Sequence, residues 1–112
     1  RFILDHCGNG DPNAFIKDPA EEPWHTRDGW LRDIEALAKR ENVICKISGL
    51  GMVDWNWTVE SIRPWVMHCI EAFGPERSFF GTNWPVDRLF STYDAVVDAY
   101  TEITGDFSEG EK

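Results

Sequence analysis

The sequence has little positive charge: 20 acidic residues stand against 11 lysines and arginines, which gives a formal net charge of −9. A chain of this sign does not suit a polyanionic partner, so bulk nucleic-acid binding is excluded. Long apolar runs are also missing, since the longest last only a few residues, too short for a transmembrane helix. The first residues lack the charged and then apolar pattern of a signal peptide, so we do not expect one here. These absences remove nucleic acids and membranes from the expected partners.

Cysteine is scarce as well: the chain has Cys7, Cys45 and Cys69 and no C-x-x-C pair. Neither a zinc knuckle nor a disulfide framework is indicated, so we expect reduced thiols in a cytoplasmic protein. Apolar residues, at 42%, and aromatic residues, at 13%, are by contrast plentiful. A chain so rich in core-forming residues is not disordered.

Hydrophobic periodicity predicts three strands that alternate with three helices. Apolar residues at i, i+3, i+4 and i+7 mark the helices, and short apolar runs that end in polar residues and Gly or Pro mark the strands. A Gly-, Pro-, Asp- and Asn-rich loop of about 20 residues follows the first strand, and loops of that length are usually functional or disordered. The predicted strands are 2–6, 43–48 and 78–83, and the predicted helices are 28–41, 61–73 and 92–104.

This β-α-β-α-β-α order predicts an α/β fold whose parallel strands are joined by right-handed helical crossovers. The order fits either a doubly wound sheet or part of a (β/α)8 barrel. In both architectures the ligand binds at the carboxyl ends of the strands.

Alternation along the first strand sorts its residues by face. If His6 points into a barrel, Phe2 and Leu4 share its side. Ile3 and Asp5 then face the helices, and Asp5 is expected to be a structural partner for a backbone N–H or a helix.

The same alternation places polar residues of the other strands on the inward side. Lys46 and Ser48 share one face of the second strand, and Asn83 lies on the corresponding face of the third. Asp87 follows in the next loop. We therefore expect one pocket to receive His6, Lys46, Ser48, Asn83 and Asp87.

His6, Asp87 and Asn83 are the candidates for catalysis. An imidazole can bind a metal, donate a proton or polarise a carbonyl at neutral pH, and it can equally be a hydrogen-bonded structural residue. Asp87 is either a general base that activates water or a cap or turn residue. Asn83 cannot be a base, but its amide can hydrogen-bond a substrate or lend an oxygen to a metal.

Lys46, Ser48 and Trp84 are the candidates for substrate binding. Lys46 either binds a carboxylate or oxyanion of the substrate or pairs with a neighbouring acid. Ser48 lacks the G-x-S-x-G context of a nucleophile elbow, so a serine nucleophile is not supported. Trp84 follows Asn83 and precedes Pro85, where it can form a wall of the pocket.

Four segments resemble the amidohydrolase-related family of (β/α)8-barrel hydrolases. They are LDHCG at 4–8, NVICKISGL at 42–50, FGTNWPVD at 80–87 and DFSEGEK at 106–112. The resemblance implies that the chain holds the sixth, seventh and eighth strands of the barrel. We therefore expect residues 1–112 to be a partial domain, a C-terminal fragment truncated at both ends, which opens in a strand at Arg1 and stops where Ser108 and Glu111 begin a capping box.

The family resemblance also implies roles for particular residues. The His of the L-D-H motif lies in the active site of such enzymes, which corresponds to His6. The family commonly has an Asp at the end of its last strand, as metal ligand or general base, and this sequence has Asn83 there, so we expect Asp87 to replace it. The H-x-H motif that binds metal in the superfamily lies on a first strand outside these residues, so a divalent ion such as zinc and no metal at all both stay open.

The function that this resemblance favours is hydrolysis of a lactone or a similar small cyclic ester. Asp87 would activate water, His6 would polarise the carbonyl, and Lys46 would hold a carboxylate of the substrate. The alternatives are a metal-dependent amidohydrolase or decarboxylase and, outside enzymes, an inactive fragment or a pseudo-enzyme that binds a small molecule.

Overall fold

A computed structural model describes residues 1–8 and 27–112, except for the side chains of Arg27 and Val53. The predicted long loop at 7–27, with its His25, lies almost wholly outside the described residues. The strands are β1 (Phe2–Leu4), β2 (Val43–Ile47) and β3 (Ser78–Phe80), and the helices are α1 (Arg27–Ala38), α2 (Leu50–Val53), α3 (Val59–Phe73) and α4 (Tyr93–Ile103).

The three strands form one parallel sheet in the order β1-β2-β3. Leu4 pairs with Cys45, and Lys46 pairs with Phe79. The α/β class and the parallel sheet are therefore confirmed. Short turns of 3-10 helix follow β1, precede β3 and span Val86–Leu89.

The core lies between the sheet and the helices. Alternate residues of β2 are buried against α1 and α3, which produces the period of two expected for a strand with one face on a core. The helices contribute the apolar stripes that their periodicity predicted, with the buried residues Trp30, Ile34, Ile62, Trp65, Val66, Cys69, Ile70, Phe73, Val96, Ala99, Tyr100 and Ile103.

The helix starts show how local chemistry sets the boundaries. Helix α3 begins at Val59, two residues before the prediction, because the Thr58 side chain accepts a hydrogen bond from the Ser61 N–H and the Ser61 side chain accepts one from the Thr58 N–H. The predicted capping box at Ser108 is present in part: the Ser108 N–H donates to the Glu111 carboxylate at 3.0 Å, and a turn follows.

The face assignment predicted for the first strand is wrong. Paired residues of parallel strands project from the same face of a sheet. Leu4 pairs with the buried, helix-facing Cys45, so Leu4 lies on the helix side, and Ile3 shares the opposite face with Ile44. The strand also ends at Leu4 rather than at residue 6, so alternation does not extend to His6.

Arg77 stabilises the turn between α1 and β2. Its guanidinium donates to the carbonyl oxygens of Ala38 at 2.8 Å, Arg40 at 3.0 Å and Val43 at 3.2 Å. It also lies over the Phe73 ring, 5.4 Å from the centroid. One side chain therefore satisfies three carbonyls where the chain leaves the helix and enters the sheet.

We expect Arg77→Lys to lower the free energy of unfolding by about 1–3 kcal/mol, because an ammonium cannot reproduce the planar fork that reaches three carbonyls. Urea unfolding measures the change. Arg63→Lys is the matched control, since Arg63 forms an exposed i,i+3 pair with Glu60, and it should change stability by less than about 0.5 kcal/mol. Equal changes in the free energy of unfolding at the two positions would contradict the role of Arg77 in stabilising this turn.

Among residues 1–8 and 27–112, no helix combines the length and the hydropathy that a membrane-spanning helix needs.

Candidate active site

His6 is brought to the carboxyl end of the sheet by an unusual turn. His6 and Cys7 both have left-handed backbone angles, with φ of 51° and 52°. Such angles are uncommon for residues other than glycine and persist only where the surroundings hold them. In this turn the Trp30 indole donates to the Cys7 carbonyl at 3.0 Å, and the His6 N–H donates to the Asp5 carboxylate at 3.1 Å.

The turn places the His6 ring in contact with Ser48. The His6 Nδ1 and the Ser48 Oγ are 2.7 Å apart, and Ser48 is fully buried. A buried hydroxyl in this position fixes the orientation of the ring. Ser48 therefore supports the histidine, which agrees with the absence of a nucleophile-elbow sequence around it.

Gly49 makes room for this contact. Its φ is 68°, and a Cβ at this position would lie 2.6 Å from the His6 Nδ1 and 2.8 Å from the Met52 Cε. Both the left-handed backbone and the close approach require glycine.

Asp5 is a site residue that the sequence interpretation missed. Its carboxylate lies 3.2 Å from the Lys46 Nζ and 3.5 Å from the His6 Nε2. The prediction that Asp5 faces the helices is wrong, because Asp5 follows β1 on the face of Ile3 and comes level with Lys46. Leu4 pairs with Cys45, so the next residues of the two segments, Asp5 and Lys46, come level with each other.

Lys46 lies on the sheet face away from the helices and pairs with Asp5. Of the two roles predicted for Lys46, the structure shows the pairing with a neighbouring acid. A Cβ on Gly81 would lie 2.8 Å from the Lys46 Cε and 3.1 Å from the Ser48 Cβ. The backbone after β3 therefore passes directly over both side chains, and the carboxyl ends of the three strands converge as predicted.

Asp87 is buried, with 3% of its surface exposed, and accepts a hydrogen bond from the Asn83 Nδ2 at 2.9 Å. Asn83 has a left-handed backbone with φ of 55°, a conformation that asparagine tolerates. Burial raises the pKa of Asp87, while the Asn83 hydrogen bond and the charge of His6 act in the opposite direction. A small cavity beside the carboxylate is lined by apolar residues that account for the desolvation, among them Leu50, Trp57, Ile62 and Val96.

Trp84 lies at the rim of this arrangement. Its ring packs edge-on against Tyr93, with centroids 5.6 Å apart, and 41% of its surface is exposed. The structure therefore brings His6, Ser48, Asn83 and Asp87 together and places Trp84 beside them against α4.

A larger groove of about 570 Å³ lies elsewhere, between β3, α4 and the last residues of the chain. None of the predicted site residues lines it, and its walls are largely apolar, with Phe79, Phe80, Tyr100 and Phe107 among them. Among the described residues, the predicted site residues therefore lie at the strand ends and not in the larger groove.

The donor set at the strand ends does not by itself make a metal site. In the part of the chain that the structure describes, no group of three His, Cys, Asp or Glu ligands converges on His6 or Asp87; the group that does converge is Cys7, Cys45 and Cys69. What the arrangement offers is a buried carboxylate, an oriented imidazole and a Lys–Asp pair.

This fold and this site define a class of protein: a parallel α/β domain of the barrel type, with ionisable side chains gathered at the carboxyl ends of its strands. The sequence model of the amidohydrolase family matches residues 1–112, so the chain belongs to the amidohydrolase family. The chain is 54% identical over 112 residues to the protein y4mH of Sinorhizobium fredii. It is 32% identical over 101 residues, 85% of the chain, to an L-fucono-1,5-lactonase of Burkholderia multivorans.

A solved amidohydrolase from Burkholderia multivorans has the same fold. The crystal form with bound HEPES has a TM-score of 0.84 at 29% identity, and the form with bound zinc has a TM-score of 0.79 at 30% identity. Both superpose on 97% of the chain, which covers 39% and 38% of those structures. The three βα units are thus part of an amidohydrolase (β/α)8 barrel, as predicted. The chain spans about a third of the length of the curated relatives, 34% of y4mH and 32% of the lactonase.

Proposed function

We propose that the protein hydrolyses a small lactone, with the groups at the strand ends supplying the acid–base chemistry. The observation that carries the proposal is the buried Asp87 carboxylate, which accepts a hydrogen bond from Asn83 at the same strand ends as His6. The similarity to an L-fucono-1,5-lactonase supports the substrate class. The zinc of the Burkholderia multivorans amidohydrolase is a property of that protein, and the steps of the proposed reaction involve only residues of this chain.

Asp87 acts as the general base. In its ionised form it takes a proton from water as the water oxygen attacks the lactone carbonyl. Because burial raises the pKa of Asp87, the carboxylate is a stronger base than an exposed aspartate. The Asn83 amide donates to one carboxylate oxygen and leaves the other for the water.

His6 acts on the carbonyl oxygen. When the Ser48 hydroxyl donates to the His6 Nδ1, the proton of the imidazole is on Nε2. That N–H lies 3.5 Å from the Asp5 carboxylate, longer than a good hydrogen bond. It can therefore donate to the carbonyl oxygen and stabilise the negative charge that develops there. The tetrahedral intermediate then collapses, the ring C–O bond breaks, and the proton held by Asp87 passes to the departing alkoxide to give a hydroxy acid.

Lys46 orients the substrate. Asp5 holds its ammonium group near the His6 ring, and 33% of the Lys46 side chain is exposed. A Lys–Asp pair at the mouth of a site provides both a donor and an acceptor for hydroxyl or carboxylate groups of a sugar-acid lactone.

The test is a substrate panel with the protein expressed from its complete coding sequence. Sugar-acid 1,5- and 1,4-lactones, an N-acyl amide and an aromatic carboxylic acid are compared by a pH-indicator assay and by release of carbon dioxide. We expect turnover of the lactones. Amide hydrolysis or decarboxylation without lactone opening would contradict the proposal and favour the other chemistries of the family, and no turnover at all would favour a binding protein.

Lys46→Met should raise KM for the lactone by about 10-fold or more with a smaller change in kcat, because a charge-assisted contact to the substrate is lost while the apolar stem stays in place. Lys39→Met, in the exposed turn directly after α1, is the control and should leave both constants unchanged. The assignment of Lys46 fails if the two variants behave alike.

A further inference from the structure

Three cysteines that are distant in the sequence meet in the core. Cys7 lies in the turn after β1, Cys45 on the helix-facing side of β2 and Cys69 on the buried face of α3. Each is 0% exposed, and their three sulfur atoms lie within 4.8 Å of one another. No disulfide joins them.

We propose that these three thiols, which we call the thiol cluster, bind a soft metal ion of low coordination number, of which Cu(I) fits best. Thiolate sulfur selects Cu(I), zinc and iron–sulfur centres over harder ions. Metal–sulfur bonds of about 2.3 Å around a trigonal ion put the sulfur atoms about 4.0 Å apart. The spacing within the thiol cluster reaches this value with small adjustments of side-chain rotamers.

The number of ligands favours Cu(I) over zinc. Structural zinc sites in proteins are almost always four-coordinate. In residues 1–8 and 27–112 the group consists of these three cysteines, without a histidine or carboxylate as a fourth member. The full burial of the three residues also excludes bulk water as the missing ligand. Cu(I) accepts two or three sulfur ligands, and its charge offsets part of the thiolate charge that burial would otherwise penalise.

The strained turn supplies a second, independent observation. Cys7 is left-handed, with φ of 52°, and this angle directs its side chain into the core while His6, its neighbour, is directed to the candidate active site. The Ser48 backbone hydrogen-bonds Cys7, and the Ser48 hydroxyl contacts His6. A metal bound to Cys7 would therefore anchor the turn that carries His6.

The experiment titrates the reduced protein, expressed from its complete coding sequence, with Cu(I) under anaerobic conditions in competition with the chromogenic chelator bicinchoninate. We expect one tightly bound Cu(I), and Cys69→Ala should weaken binding by at least about 100-fold, since it removes a direct ligand. Val66→Ala is the matched control, because Val66 is equally buried on α3 and its truncation leaves the sulfur atoms in place. It should retain the Cu(I) affinity of the unmodified protein.

X-ray absorption at the copper edge tests the same site without any variant. We expect a shell of two or three sulfur atoms. Equal Cu(I) affinity in the unmodified protein and in Cys69→Ala overturns the proposal, as does a shell of nitrogen or oxygen alone. Tighter binding of Zn(II) than of Cu(I) in the same competition overturns the choice of a low-coordinate ion. Because every readout is metal binding, a failure of the thiol cluster to bind Cu(I) is distinct from a failure of lactone hydrolysis.

Discussion

Asp87→Asn should lower kcat for lactone hydrolysis by about 10²–10⁴-fold, the usual contribution of a general base, and should raise the stability of the fold at neutral pH. The amide is isosteric and can still accept the Asn83 hydrogen bond, so the geometry is kept while the base is lost. At neutral pH the substitution removes a buried negative charge, and we expect a gain on the order of 1 kcal/mol in the free energy of unfolding.

The sign of the pH dependence follows from the raised pKa of Asp87. The folded state disfavours the ionised form of Asp87. Below the pKa of an unfolded aspartate the carboxyl group is protonated in both states and does not lower the free energy of unfolding. As the pH rises through the pKa of the folded state the group ionises, and the free energy of unfolding falls. The stability gain of Asp87→Asn should therefore be present at neutral pH and vanish in acid. Urea unfolding at both pH values checks this, and an equal gain at both would contradict an origin in the buried charge of Asp87.

Asn83→Gly tests the same base through its pKa. Glycine keeps the left-handed backbone of position 83 and deletes the amide that lowers the pKa of Asp87. The acid limb of kcat/KM should move to higher pH while activity at alkaline pH is largely kept. A pH profile identical to that of the unmodified protein would show that Asp87 is not the base.

Gly49→Ala should lower both activity and stability. The left-handed angle costs alanine about 1–2 kcal/mol, and the forced displacement of a packed ring adds about 1–3 kcal/mol, so we expect a total loss of about 2–5 kcal/mol. The new methyl group would lie 2.6 Å from the His6 Nδ1, and the ring must move away from Ser48. Displacement of a catalytic group by about 1 Å can cost roughly 10²-fold in rate, which is the expected fall in kcat.

Gly74→Ala is the control that separates backbone strain from displacement of His6. Gly74 also has a positive φ, 81°, but a Cβ there meets nothing within 4 Å, and the residue precedes β3 at the end of the sheet away from the site. It should cost about 1–3 kcal/mol of stability and leave kcat unchanged. If Gly49→Ala also keeps kcat, His6 does not act in the reaction.

The periodicity of the sequence predicted the order of the elements and the buried stripes of the helices because those depend on local spacing. The stripe of α3, from Ile62 to Phe73, illustrates this, since helix geometry alone places these residues on one side. Side-chain caps were the source of boundary errors: the two-way hydrogen bonding of Thr58 and Ser61 starts α3 earlier than its apolar stripe indicates.

The candidate site was predictable in part. Lys46, Ser48, Asn83 and Asp87 were grouped correctly because parallel strands bring their carboxyl ends to one edge. Asp5 was missed because the faces of the first strand were assigned from His6, which lies beyond β1 in a turn. A turn built from consecutive left-handed residues leaves no local signature in the amino acids His6 and Cys7, so alternation could not place them.

The sequence by itself therefore determined the class of fold, the direction of the strands and the set of polar residues at their ends, since these follow from composition, spacing and chain connectivity. Only the tertiary structure decided which of these residues touch. The contact of His6 with Ser48, the pairing of Asp5 with Lys46 and the meeting of three thiols each join distant segments, and such contacts depend on strand register and backbone angles that no local pattern encodes.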